Sequence, residues 1–196
     1  MRDGHPMFSL PFRGRTAVRA AWLALLAAGC ALLGALSSRS QAADDDAVRV
    51  RTEFKYFIGT WRCEEDWSKT ELEPAHKSTA ILEAADSLDG VWLVWKYEQR
   101  ASAQNKNPAK GADFWGYDAT AKKFIRAKVD NGVPGKVQEL TSTGWSGDTV
   151  AWDGQAPTPQ GLAPFKHTFT KVDGKTVVGK LFLGGRQFYS STCRKV

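Results

Sequence analysis

The sequence predicts an all-β domain, an antiparallel up-and-down β-barrel of about ten strands. Three observations lead there. From Ile58 onward no segment keeps a helical period of useful length. Short strand-like runs recur at regular spacing, separated by residue pairs whose chemistry permits positive φ. A meander of that length either closes or leaves two adhesive edges, and closure removes them. A two-sheet sandwich is the structural alternative.

The chain has 196 residues, and residues 1–42 read as a secretory signal peptide. Arg13, Arg15 and Arg19 form a basic start, Ala20 to Leu36 is one apolar run, and Ser40-Gln41-Ala42 offers small residues for cleavage. Two alternatives stand beside it. The run could be retained as an anchor, or Ala27-Ala28-Gly29-Cys30 could act as a lipobox. Residues 43–196 then form one domain, expected in the periplasm or outside the cell, with no membrane span after cleavage. The leader holds five arginines and one acid, so the remainder carries 22 basic and 20 acidic residues. That near balance argues against nucleic acid as a partner. The oligomeric state is not legible.

The elements follow in order. Val48 to Phe57 is a short lead-in with room for a helical turn. Asp89-Gly90 separates HKSTAILEAADSL from VWLVWKYEQR, and Asp118-Ala119-Thr120 follows ADFWGY. Asn131-Gly132 closes KKFIRAKVD, and Ser146-Gly147-Asp148 separates KVQELTSTGW from TVAWD. Asp173-Gly174 and Gly184-Gly185 mark the last two hairpins. Ala101–Gly111 and Gly154–Pro164 read as long polar loops, the second because Pro157, Pro159 and Pro164 exclude a central strand.

Tyr56-Phe57-Ile58-Gly59-Thr60-Trp61-Arg62-Cys63 carries the most information. Gly59-x-Trp61 on the first strand after a short lead-in resembles the lipocalin (calycin) barrels. That resemblance implies that Trp61 plugs the closed end and that an arginine near the last strand, here Arg186 or Arg194, packs over it. The order FIGTWRCE, LDGVWLVWKYE, FWGYDATAKKFIRAKVDNG and HTFTKVDGKTVVGKLF resembles the bacterial secreted proteins grouped as domain of unknown function 1579. Its best marker is Gly116-Tyr117-Asp118 followed by Lys123-Phe124. Membership implies a lipocalin-like fold and little about activity.

Two cysteines follow the leader, Cys63 and Cys193. An even pair in an exported chain suggests a disulfide, with two buried thiols as the alternative. In a closed meander the first and last strands pair, so this bridge would staple the seam.

Alternation along each strand then assigns the interior. Trp61, Cys63, Glu65 and Trp67 share one face, as do Leu93, Trp95 and Tyr97. Phe114 is assigned inward with Gly116, against Trp115 and Tyr117. Phe165, His167 and Phe169 lie together, and so do Gln187, Tyr189, Ser191 and Cys193. The expected partner is a small hydrophobic or aromatic molecule, lined by Trp67, Leu93, Trp95, Tyr97, Phe114, His167, Phe169 and Tyr189. A solid core without a ligand is the alternative.

Enzymes and cofactors leave weaker traces. A lyase or isomerase could use Glu65 or His167 with Tyr97, although Glu65 also reads as a solvated strand end. No nucleophile elbow, two-histidine zinc set or phosphate loop is present, so no catalytic residue, metal or cofactor is expected. The haem-binding nitrobindins resemble this fold and use one histidine on a late strand, which makes haem on His167 a lesser alternative. Their remaining signature is absent. An exported protein working through its outer face is the third reading.

Overall fold

A computed structural model describes residues 48–70, 74–132 and 134–196. The signal peptide expected over residues 1–42 lies outside the described residues, as does Cys30. Among the described residues, no helix is long and apolar enough to cross a membrane.

Residues 48–54 form a helix that tightens into a 3-10 turn over Lys55–Phe57. Among the described residues eleven strands follow. They are β1 (Gly59–Trp67), β2 (His76–Ser87), β3 (Trp92–Gln99), β4 (Lys110–Asp118), β5 (Lys123–Asp130) and β6 (Gln138–Ser142), then β7 (Trp145–Ser146), β8 (Thr149–Thr158), β9 (Gly161–Lys171), β10 (Thr176–Leu183) and β11 (Arg186–Lys195). All pairings are antiparallel between sequence neighbours, with two additions that close the ring. β1 pairs with β11, and β6 pairs with β8 through Leu140↔Gly154 and Thr141↔Asp153. Ten strands make the barrel, and the two-residue β7 hangs from β8 outside it.

Closure follows from the pattern. On β1, Trp61, Cys63 and Glu65 are buried while Thr60, Arg62, Glu64 and Asp66 are exposed. Such strict alternation fixes the register, since a slip by one residue would exchange the faces. The seam pairs Cys63 with Cys193 directly, and the two form a disulfide with Cα atoms 4.0 Å apart.

The barrel is solid at the end where β1 begins. Val50, Phe54 and Phe57 on the lead-in are 0–1% exposed and sit among Trp61, Trp115 and Trp152, also fully buried. Burial of each such side chain contributes about 1.5–3 kcal/mol. The lead-in is tied down by polar contacts as well. Trp61 Nε1 donates to the Phe57 carbonyl at 2.7 Å, and Trp145 Nε1 donates to the Glu53 carbonyl at 2.7 Å. The second contact explains why β7 turns off the barrel wall.

The cation over Trp61 is not an arginine. Arg186 and Arg194 are both exposed, because their positions on β11 face outward. Lys195 is the cross-strand partner of Trp61, and its Nζ lies 5.2 Å from the indole centroid. Lys195 Nζ also donates to the Tyr56 carbonyl at 3.1 Å. Gly59 serves this arrangement. Its φ is +123°, and a Cβ there would lie 2.9 Å from Lys195 Cε.

Two other expectations change. Phe114 points outward and is 39% exposed, whereas Trp115 is fully buried. The cause is Gly116, where a Cβ would fall 2.7 Å from the Trp92 ring, so the outer face of β4 is cut back to admit an outward tryptophan. Gly154–Pro164 is not a loop but the distal half of the β8–β9 hairpin, with Gln155↔Pro164 and Pro157↔Leu162 in register. There β8 has passed its pairing with β6, and β9 has not begun its pairing with β10, so Pro157 and Pro164 meet one ladder each, and Pro159 sits in the turn between the strands. His76 is buried, stacked on Trp67 with ring centroids 5.7 Å apart.

Candidate functional site

Above the packed end the barrel opens into a cavity of about 190 Å³. That exceeds the roughly 150 Å³ of an apolar cavity able to hold benzene. It is therefore neither a solid core nor a wide lumen. Trp95 and Phe169 form its floor, with ring centroids 5.5 Å apart, and Trp95 stacks on the buried Trp115 at 4.6 Å.

Six of the eight expected lining residues border this space, namely Trp67, Trp95, Tyr97, His167, Phe169 and Tyr189. Leu93 does not. It is inward but 1% exposed, one step below Trp95 in the packed end. Phe114 does not either, since it lies on the outer wall. Leu82, Phe165 and Leu181 complete the apolar surface.

Two polar clusters interrupt it. The first centres on Glu65, which is 3% exposed and no solvated strand end. Ser78 Oγ donates to its Oε2 at 2.5 Å and Gln99 Nε2 at 2.8 Å. Tyr189 OH donates to Oε1 at 2.9 Å and Tyr97 OH at 3.1 Å. These donors arrive from β2, β3 and β11, so one carboxylate links three strands to β1. Gln99 is itself fixed, its Oε1 accepting from Asn105 Nδ2 at 3.0 Å and from the Ala109 amide at 2.9 Å. The 100–109 connection thus reaches back into the network through Asn105, which is 3% exposed. Glu65 stands behind the two tyrosines and does not border the cavity. Burial, then the charge of Glu65, raises the hydroxyl pKa of both Tyr97 and Tyr189, so each keeps its proton and donates it to the carboxylate.

The second cluster went unread in the sequence. Arg126 on β5 is 3% exposed and donates to Asp113 Oδ2 through Nε at 3.0 Å and Nη2 at 2.5 Å. Its Nη1 lies 2.8 Å from His167 Nδ1. Burial, then Arg126 and Lys128, lower the His167 pKa well below 6.5. Alternation alone does not flag Arg126 or Asp113, because charged side chains on an inward face break the binary pattern. The one available signal was their offset, since Asp113 and Arg126 lie on the two adjacent strands that flank the Gly116-Tyr117-Asp118 hairpin.

This histidine makes the fold acid-sensitive. The unfolded chain takes a proton on His167 near pH 6.5, which the folded chain refuses. Its contribution is complete above pH 6.5 and declines as pH falls below it, by up to about 1.4 kcal/mol per pH unit. Denaturant unfolding at pH 7.5 and 5.5 is expected to show this loss in the wild type and much less of it in His167→Gln. Equal losses in the two proteins would contradict it.

Haem does not fit. Arg126 can only donate, so Nδ1 of the neutral imidazole accepts and the proton sits on Nε2, leaving no lone pair there for iron. The cavity is also smaller than the roughly 300–1,000 Å³ of sites for drug-sized ligands.

Residues 49–185 match a family described as a protein of unknown function, DUF1579. No curated protein matches the chain. Solved structures share the barrel. Rv2717c from M. tuberculosis aligns with a TM-score of 0.54 at 11% identity, over 75% of this chain and 97% of the other. The S-type phycobiliprotein lyase CPES from Guillardia theta aligns with a TM-score of 0.53 at 11% identity, over 75% and 92%. At that identity the likeness is one of fold.

Proposed function

Because the chain belongs to the DUF1579 family, whose description assigns no activity, we propose from its geometry that the protein binds a small apolar or aromatic molecule inside the barrel, in the periplasm or outside the cell. The observation that carries this reading is the aromatic cavity of about 190 Å³ above a solid floor. A folded barrel gains nothing from leaving that space unfilled, since unfilled volume costs stability. Aromatic walls offer large rigid surfaces to a flat ligand at little entropic cost. The setting outside the cytoplasm rests on the leader and on the cysteine pair.

The lyase or isomerase reading keeps a foothold in Tyr97 and Tyr189, the hydroxyls through which Glu65 would exchange a proton with a bound molecule. It needs the same cavity, so binding is tested first. Titration with a panel of one- and two-ring aromatic compounds is expected to give a saturable change in tryptophan fluorescence through Trp67 and Trp95. Leu181→Trp, which fills the space, is expected to abolish the response while the thermal midpoint holds. No saturable response from the wild type, or an unchanged one from the filled variant, would refute the reading.

A further inference from the structure

The tautomer of His167 has a consequence for what the cavity selects. Arg126 has no acceptor to offer, so the 2.8 Å contact at Nδ1 fixes the hydrogen on Nε2. His167 borders the cavity, and among the described residues nothing accepts from its Nε2. Trp95 Nε1 also lacks a partner but is fully enclosed, whereas the other side-chain donors nearest His167 have acceptors. The hydroxyls of Tyr97 and Tyr189 point at Glu65, and Lys128 Nζ is 2.8 Å from Asp130 Oδ2. His167 is only partly buried, so its Nε2–H is accessible from the cavity and open to a ligand oxygen as its hydrogen-bond acceptor.

Charge narrows the ligand further. Arg126 is offset by Asp113, and the Lys128–Asp130 pair at the rim is balanced. Glu65 stands behind the tyrosines. A ligand carboxylate would be desolvated near Glu65 and Asp113, and an ammonium would be desolvated beside Arg126; neither would find a free counter-ion.

We propose that the cavity takes an uncharged, flat, mostly apolar molecule bearing one carbonyl-type oxygen, which accepts a hydrogen bond from His167 Nε2. This rests on the binding reading above and names its ligand class. His167 then acts as the specificity-determining residue, and Arg126 positions it.

The test is calorimetric titration with three bicyclic probes of one skeleton, indane, 1-indanone and indane-1-carboxylate. The wild type is expected to bind the ketone at least tenfold more tightly than the hydrocarbon, and the carboxylate more weakly than either. His167→Phe should bring the ketone to the hydrocarbon's level. His167→Gln, which keeps an acceptor for Arg126 and an N–H for the ligand, should retain the preference. The probe series in the wild type does not depend on either variant folding. Equal binding of indane and indanone would overturn the head-group assignment while leaving the cavity as a binding site. A preference that survives His167→Phe would overturn the role of His167. Binding of none of the three would remove the binding reading and this proposal together.

Discussion

Cys63→Ala with Cys193→Ala is expected to lower stability by about 4–5 kcal/mol. The bridge spans 130 residues, and restricting so long a loop removes that much conformational freedom from the unfolded chain in the chain-entropy treatment. For a domain of this size the loss corresponds to a fall in thermal midpoint of about 10–20 °C. Thermal unfolding of the wild type with and without reductant, beside the double variant, measures it. Reductant should bring the wild type to the variant's midpoint and leave the variant unmoved. An unchanged midpoint would mean that the β1–β11 ladder alone holds the seam.

Glu65→Ala is expected to cost about 3–5 kcal/mol. Buried donors from Ser78, Gln99 and Tyr189 and the half-buried Tyr97 hydroxyl lose their acceptor together, as does the longer contact from Trp67 Nε1 at 3.4 Å. Each orphaned group costs about 1–3 kcal/mol, and their sum is moderated by relaxation. The asymmetry of that penalty gives a second arm. Adding Tyr97→Phe and Tyr189→Phe removes two of the stranded donors, so the triple variant of Glu65→Ala with both should recover part of the loss. Denaturant midpoints at pH 7.5 decide the matter. A cost under about 1 kcal/mol for Glu65→Ala would show that solvent reaches the carboxylate's donors and that the network does not bind the strands together.

Much of the fold was legible because most strands obey the two-residue period. On β1, β3 and β9, and on β11 from Tyr189 onward, the inward residues are those that alternation names, and the cysteine pair marks the seam. β4 failed for a physical reason. Phe114 and Trp115 are adjacent aromatics, so hydrophobicity does not choose between the faces. The deciding facts are the outward Trp92 packed on Gly116 and the inward Asp113, and neither follows from the local sequence. Lys195 was missed because the resemblance called for an arginine, while the register places a lysine opposite Trp61. The polar half of the site was the least legible part. Glu65, Asp113 and Arg126 are buried charges, and composition gives buried and solvated charges the same signature. Only the three-dimensional meeting of β1, β2, β3 and β11 around one carboxylate, and of β4, β5 and β9 around one guanidinium, distinguishes them.

The β1–β11 seam also dictates the order of events during synthesis. β1 leaves the ribosome early, and the strand that must lie along it is the last of the described strands to be made. Until then the nascent meander carries an unsatisfied backbone margin beside Trp61 and Cys63, open to illegitimate pairing with neighbouring chains. Such remote closure is intrinsically slow. Completion of the ring thus waits on β11, and the covalent clasp records that the two margins have met.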